Sequence, residues 1–372
     1  MNALEAPDVD AALADQMIDD SVARLFAAKV DKHQRLSAET GELDMALWQQ
    51  VSDSGFALLL ATESAGGLAL GWTSAYPILR GLGHWQVPLP LAETMVAAML
   101  ASMAGLDLPN LSNGPLTLIE QGHGNALQLG GTAAAPTLSG TAFGVPWARH
   151  ARAALVSMAD GCVALLPLTD APGVVITPHT NAAGLPSDSL QLDGAALTAL
   201  APNPVALVRP VLTLGAVARS AMLVGALEFA LAQAVQYAGE RVQFGKPIGK
   251  YQAIQQNLAL MAGDVAAARV AALVAAADAP SVGQAGTKAS AFSAAVAKVR
   301  AGEAATRGAG IAHQVHGAIG FTHEHALHFA TRRLWAWREE FGSDAFWAAE
   351  LGRAAISARA QGFWPGITQK QF

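Results

Sequence analysis

An α+β fold is predicted by three features of the 372-residue chain. Apolar residues recur at spacings of three and four through residues 1–112 and again through 206–372, the period of a helix with one buried face. Between these blocks, residues 113–205 change to short apolar or alternating runs punctuated by Gly, Pro, Asn and Thr, as strands and turns are. No Gly-x-Gly-x-x-Gly joins a strand to a helix, and there is no phosphate loop. Blocks segregated in this way predict two helical domains flanking a small β-barrel or sheet domain, not a doubly wound sheet.

In chain order, residues 11–29 read as an amphipathic helix and 46–54 as a short one, ended by Gly55 and the tight apolar run 56–60. Ala65-Gly66-Gly67 reads as a turn. Residues 73–82 and 90–103 are helical again, with Pro77 expected to kink or shorten the first. Strands are expected at 116–119, 153–158, 162–166 and 174–176, and residues 189–193 alternate. Long helices are expected at 217–240, 251–277 and 289–310.

Composition narrows the function classes. A net charge of −6 argues against general nucleic-acid binding. One cysteine, Cys162, excludes an internal disulfide and most thiolate metal sites. Hydropathy is positive chiefly through alanine, and no run of eighteen purely apolar residues occurs. Residues 220–238 come nearest but contain Glu228 and Gln233, so they read as a buried bundle helix rather than a membrane span. Glu228 itself is expected to be paired or at an interface. Residues 1–13 are acidic, unlike a secretory signal, and a cytoplasmic location is the default expectation. Alanine-rich, charge-poor helices also hint at oligomer interfaces.

The segment 241–250, Arg-Val-Gln-Phe-Gly-Lys-Pro-Ile-Gly-Lys, is a basic link between two long helices. Arg241 can fork onto a phosphate or carboxylate, Gly245 admits close backbone approach, and Pro247 stiffens the entry to the next helix. The alternative is a solvated helix–helix turn. A second glycine-bearing stretch, Gln314-Val315-His316-Gly317-Ala318-Ile319-Gly320-Phe321, ends another helix, where backbone donors can approach a phosphate or an adenine. His316, His323, His325 and His328 cluster near it, but without the His-Glu-x-x-His spacing of a zinc helix, and they read as packing and hydrogen-bonding groups. The aromatic tail Trp335, Trp337 and Phe341 reads as core or subunit contact.

These stretches together resemble the acyl-CoA dehydrogenase family, flavoenzymes that desaturate acyl-CoA thioesters. Arg241-x-Gln243-Phe244-Gly245-x-Pro247-Ile248-Gly249, then Gln252, is similar to the family's link. Gln314-x-x-Gly317-Ala318-x-Gly320-Phe321-x-x-Glu324 is similar to its second motif, with Ala318 replacing a glycine. Glu63-x-x-Gly66-Gly67 and Pro88-Leu89-Pro90-Leu91-Ala92-Glu93 resemble its amino-terminal domain, the latter in the form found in bacterial steroid and side-chain degraders. The resemblance implies FAD as cofactor, with Arg241, Phe244, Gln252, Gln314, Gly317 and Ala318 reaching a flavin held mainly by a neighbouring subunit.

The resemblance also implies a carboxylate base at one of two positions. Counted from the motifs, these fall on Phe341 and Gly215, neither of them acidic. Glu340 is one residue away from the first, about one hundred degrees around a helix. The stretch 119–125, Ile-Glu-Gln-Gly-His-Gly-Asn, and Phe143-Gly144-Val145-Pro146-Trp147 stand where the family's own flavin-pocket motifs are expected, in altered form. Trp147 reads as core, and Arg149 and His150 as solvated rim residues. The expectation is a non-catalytic subunit, similar to those of bacterial steroid-degrading α2β2 acyl-CoA dehydrogenases. Its partners would be a homologous subunit carrying the glutamate, a bulky acyl-CoA and an electron-transfer flavoprotein. The alternatives are a homomeric enzyme using Glu340, or a flavin-free scaffold subunit.

Overall fold

The computed structural model describes residues 9–371; the rest of the acidic opening, residues 1–8, lies outside them. Five helices come first: α1 (Val9–Lys29), α2 (Lys32–Glu39), α3 (Met45–Asp53), α4 (Trp72–His84) and α5 (Leu91–Met103). Helix α4 runs through Pro77. The proline removes one backbone donor, and the burial of Ile78, Leu79 and Leu82 on the core side outweighs that loss.

The middle of the chain forms β1 (Leu116–Glu120), β2 (Ala126–Thr132), β3 (Ala135–Pro146), β4 (Ala153–Ser157), β5 (Cys162–Pro167), β6 (Val174–Thr177), β7 (Ser187–Ala196) and β8 (Ala201–Pro202). They make two four-stranded sheets, ordered β1-β4-β5-β8 and β2-β3-β7-β6. In these sheets β1 and β4 pair in parallel, and the other ladders are antiparallel. The barrel alternative is set aside among the described residues, because no ladder joins an edge strand of one sheet to the other. The inner faces of both sheets share an apolar cluster including Ile119, Leu138, Val156, Leu166 and Leu190.

The last block contains α6 (Pro210–Glu240), α7 (Gln252–Asp278), α8 (Lys288–His316), α9 (Leu327–Glu339) and α10 (Asp344–Thr368). Helix α6 is the axis of the molecule and crosses α4 backbone to backbone. A methyl group at Gly225 would lie 1.9 Å from Arg80 O, and one at Gly83 1.9 Å from Met222 O. Only glycine permits that approach. Glu228, on the same helix, is paired with Arg80 at 2.9 Å, as its isolation in an apolar run suggests. By length and composition α6 and α7 are apolar enough to cross a membrane. The apolar stretch of α6 is wholly buried as core, whereas α7 exposes Leu260, Val270, Leu273 and Val274.

Candidate functional site

Two cavities contain the residues named in the motifs. The first, of about 350 Å³, lies between the sheets, the start of α6 and the end of α9. Its lining includes Glu120, Glu339 and Glu340 and, among the described residues, no lysine or arginine. Glu120 ends β1, and its carboxylate accepts the Leu212 N–H at 2.8 Å, so it caps the exposed donors at the start of α6. Burial, only partly offset by that backbone donor and by Ser157, raises its pKa to about 7. The loop after β1 closes onto α10, where His123 meets Phe346 edge-on at 4.7 Å.

Glu340 is not free. It accepts from Arg219 Nε at 2.7 Å and from Asn181 Nδ2 at 2.8 Å. Arg219 is fully buried on α6 and also pairs with buried Glu93 on α5. Burial works against the guanidinium charge, and Glu93 and Glu340 outweigh it, holding its pKa above the ordinary value. The next residue, Phe341, adopts a positive φ of 54° and packs its ring on Gly215. A methyl group at position 215 would lie 2.3 Å from Phe341 Cδ1. The guanidinium of Arg219 stands 5.3 Å from the centre of the same ring. Lys298, buried on α8, holds this turn from behind by donating to Trp337 O, Arg338 O and Gly342 O at 3.1, 2.6 and 2.8 Å. Burial lowers the Lys298 pKa to about 7. The two positions to which the resemblance assigns a base are therefore in contact, one a glycine and the other the ring that covers it.

The second cavity, of about 650 Å³, opens at the far end of α6. Here the link 241–250 folds as a two-residue hairpin of β9 (Val242–Gln243) and β10 (Lys246–Pro247). Phe244 and Gly245 both have positive φ, 51° and 80°, as the tight turn of a right-twisted hairpin requires. Phe244 is thus held in a strained conformation with 92% of its surface exposed. Tyr251 stays the hairpin, its hydroxyl donating to Gln243 O at 3.1 Å and its ring carrying the Lys246 ammonium at 4.4 Å. Arg241, Phe244, Gln314, Gly317 and Ala318 all line this cavity. Gln252 does not; it opens α7 on an exposed face. Arg241 is exposed and engages no acid among the described residues, and no carboxylate lines the cavity. Gly317 ends α8 at φ 63°, while Ala318 lies outside the left-handed region and is exposed, so its methyl fits. A free arginine, exposed amides and a glycine turn fit the phosphate and nucleotide end of FAD. The acidic first cavity does not fit a diphosphate.

The rim residues differ from expectation. Arg149 is not solvated: its Nε donates to buried Asp188 at 2.9 Å, because a carboxylate without surface exposure needs a cation. His150 Nε2 meets Gly41 O at 2.7 Å. Trp147 is buried, as expected of core. In the aromatic tail Trp337 is buried and Trp335 is exposed. Sequence reasoning did not find Arg219, Lys298 or Asp188. The one available signal was that a charge inside an alanine-rich helix needs a partner.

Family models for acyl-CoA dehydrogenases match both helical parts of the chain, the N-terminal-domain model at residues 14–106 and the C-terminal-domain model at 205–356. The chain belongs to the acyl-CoA dehydrogenase family. The two matches flank residues 107–204. Acyl-CoA dehydrogenase FadE27 of Mycobacterium tuberculosis is 32% identical over 248 residues, covering 61% of this chain and 65% of FadE27. Acyl-CoA dehydrogenase IpdE2 of the same organism is 28% identical over 324 residues, 86% and 90% of the two chains. The solved structure of the steroid ACAD Tcur3481-Tcur3483 superposes with a TM-score of 0.82 at 25% identity, over 94% of this chain and 99% of that one. The ChsE4-ChsE5 complex of M. tuberculosis gives 0.76 at 26% identity, over 93% and 98%. Among acyl-CoA dehydrogenases this chain is thus similar to members whose structures pair two differently named polypeptides.

Proposed function

We propose that the chain is a subunit of an FAD-dependent acyl-CoA dehydrogenase that contributes contacts to the FAD of a homologous partner subunit and carries no base of its own. The assembly is read as α2β2, in the cytoplasm, with one FAD for each unlike pair. Its substrate is a bulky, steroid-derived acyl-CoA, and an electron-transfer flavoprotein takes the electrons. The carrying observation is the Phe341 ring resting on Gly215 at the two family base positions. Glu340, the nearest acid, is engaged by Arg219 and Asn181. The steroid and two-polypeptide structures among its neighbours support the substrate and assembly.

Desaturation requires removal of an α-proton by a carboxylate, and FAD, when bound, accepts the β-hydride. This chain's contribution is electrostatic and positional. Arg241, Phe244, Gln314, Gly317 and Ala318 would hold the cofactor, the guanidinium supplying charge for its diphosphate, the Phe244 ring an apolar surface, and the Gln314 amide and the Gly317–Ala318 backbone hydrogen-bonding groups for its nucleotide end. Gln252 completes the set only if α7 meets the partner.

Titration of the co-purified, deflavinated complex with FAD tests this reading. One tight site per unlike pair is expected, and Arg241→Ala weakens it by roughly 2–5 kcal/mol, about thirty- to several-thousand-fold. Arg241→Lys restores little, because the two-pronged contact is lost. Two tight sites per pair, or unchanged affinity in the alanine variant, defeats it. Robust turnover by this chain alone, abolished by Glu340→Gln with flavin retained, establishes the homomeric alternative.

A further inference from the structure

The turn between α8 and α9 gathers five of the chain's ten histidines. His313 and His316 end α8, His323 and His325 lie in the turn, and His328 opens α9. The same turn supplies Gly317, Ala318 and Ile319 to the wall of the second cavity. Two bonds tie it to α9, and both run through His325. The Leu327 N–H donates to His325 Nδ1 at 3.1 Å, and His328 Nδ1 lies 2.7 Å from the His325 carbonyl oxygen. An amide N–H only donates, so Nδ1 of His325 holds a bare lone pair; a carbonyl only accepts, so Nδ1 of His328 carries a proton. The first bond satisfies one of the donors left open at the start of α9. It exists only while the His325 ring is neutral.

His325 is half-buried and within reach of solvent protons. A proton on Nδ1 sets one N–H against another and places a positive charge on the positive end of a helix. It does so 4.7 Å from the His316 ring. The neighbouring rings do not relieve it. Nε2 of His316 and of His328 are buried without partners, so a proton there would be unpaired as well. His313 is clamped, its ring stacked on Phe321 at 4.1 Å and its Nε2 2.9 Å from Thr331 Oγ1.

The surrounding charges offer no counter-ion. From α2, Glu39 acts on His328, but its carboxylate already accepts from Arg332 of α9 at 2.7 Å, and Arg35 stands over Phe329 beside it. From α6 come Tyr237, a neutral phenol stacked on His316, and the Arg241 guanidinium in the same cavity. Glu240 is exposed and hydrogen-bonded to Gln236, and Glu324 is exposed on the turn itself. Among the described residues no carboxylate forms an ion pair with any of the five rings. Burial lowers the pKa of His313, His316, His325 and His328 alike.

We propose that the turn 317–326 is a proton-operated latch on the second cavity: a proton taken by His325 breaks its bond to the Leu327 N–H, releases the turn from α9 and opens that wall of the cavity. The latch does not depend on what the cavity holds.

Hydrogen–deuterium exchange of the full-length chain at pH 7.5 and 5.5, each rate divided by the intrinsic rate at that pH, tests it. Because the closed turn keeps its rings neutral, its stability is complete above the ordinary imidazole value of about 6.5 and is lost as pH falls below it. Each ring held neutral on closing should raise the open fraction at pH 5.5 roughly five- to tenfold. Amides of 317–328 should therefore exchange at least about fivefold faster there, reversibly, while those of the buried stretch of α6 hold their rate. His325→Asn should abolish the response, since asparagine makes the same bond to the amide two residues on and takes no proton. Equal exchange of the turn at the two pH values in wild type overturns the latch. So does loosening that only keeps step with the whole chain, or a response that survives in His325→Asn. Should the variant fail to fold, NMR titration of the wild-type rings decides. His325 titrating below about 6.5, in step with loss of Leu327 amide protection, supports the latch, and His325 titrating at or above that value overturns it.

Discussion

The cavity beside the sheets and the cavity at the far end of α6 stand at opposite ends of one helix and treat polar groups in opposite ways. Around the first, polar groups satisfy one another: Glu340 with Arg219 and Asn181, Arg219 with Glu93, and, behind the turn, Lys298 with three carbonyls. In the second, Arg241 lies open and Phe244 is strained into solvent. A group satisfied within the chain contributes to stability, and a group left open contributes to binding. Substitutions in the two places should therefore fail differently.

The largest stability effect is expected at Arg219. Arg219→Met strands Glu93 and Glu340 in a buried setting and should cost roughly 3–5 kcal/mol in urea denaturation. A cost under about 1 kcal/mol would erase the contrast. Gly215→Ala comes next, at roughly 1–3 kcal/mol, because its methyl collides with Phe341. In a Phe341→Ala background that penalty should nearly vanish; a double-mutant cycle showing simple additivity would place the strain elsewhere.

Glu120 sharpens the comparison through pH. Its folded-state pKa of about 7 exceeds the ordinary 4.5, so between those values the folded state holds the extra proton. Its contribution is complete below about pH 4.5 and is lost as pH rises through about 7. Glu120→Gln should flatten that part of the Tm-versus-pH curve; an unchanged slope between the two values would show that Glu120 does not titrate there. The smallest effect is expected in the second cavity, where Arg241→Ala should change unfolding stability by no more than about 0.5 kcal/mol. A loss above about 1 kcal/mol would make Arg241 a structural cap.

The long helices were legible because a 3.6-residue period persists over many turns; α6 and α8 only began or ended several residues beyond the repeat. The hairpin at 242–247 was not, since strands of two residues carry no period. Pairings distant in sequence were also hidden. Glu120 stood out in its run, but its partner Leu212 lies 92 residues away. Arg149 reads as a solvated side chain because Asp188, 39 residues on, gives no local sign of burial. At the second cavity the motifs named most of the lining residues. The state of His325 depended on which nitrogen faces the Leu327 N–H, and that is a matter of geometry.

The seat of Phe341 on Gly215 also has a historical consequence. Restoring an acid at position 215 alone drives a side chain into the ring. Restoring one at 341 alone adds a carboxylate next to Glu340 and near Arg219, which is already paired with both Glu340 and Glu93. Each single step crosses a less stable intermediate, so the packing works as a ratchet: once the ring has settled, placing an acid at either position needs coordinated changes, and on the proposed reading that would make dependence on a partner hard to reverse.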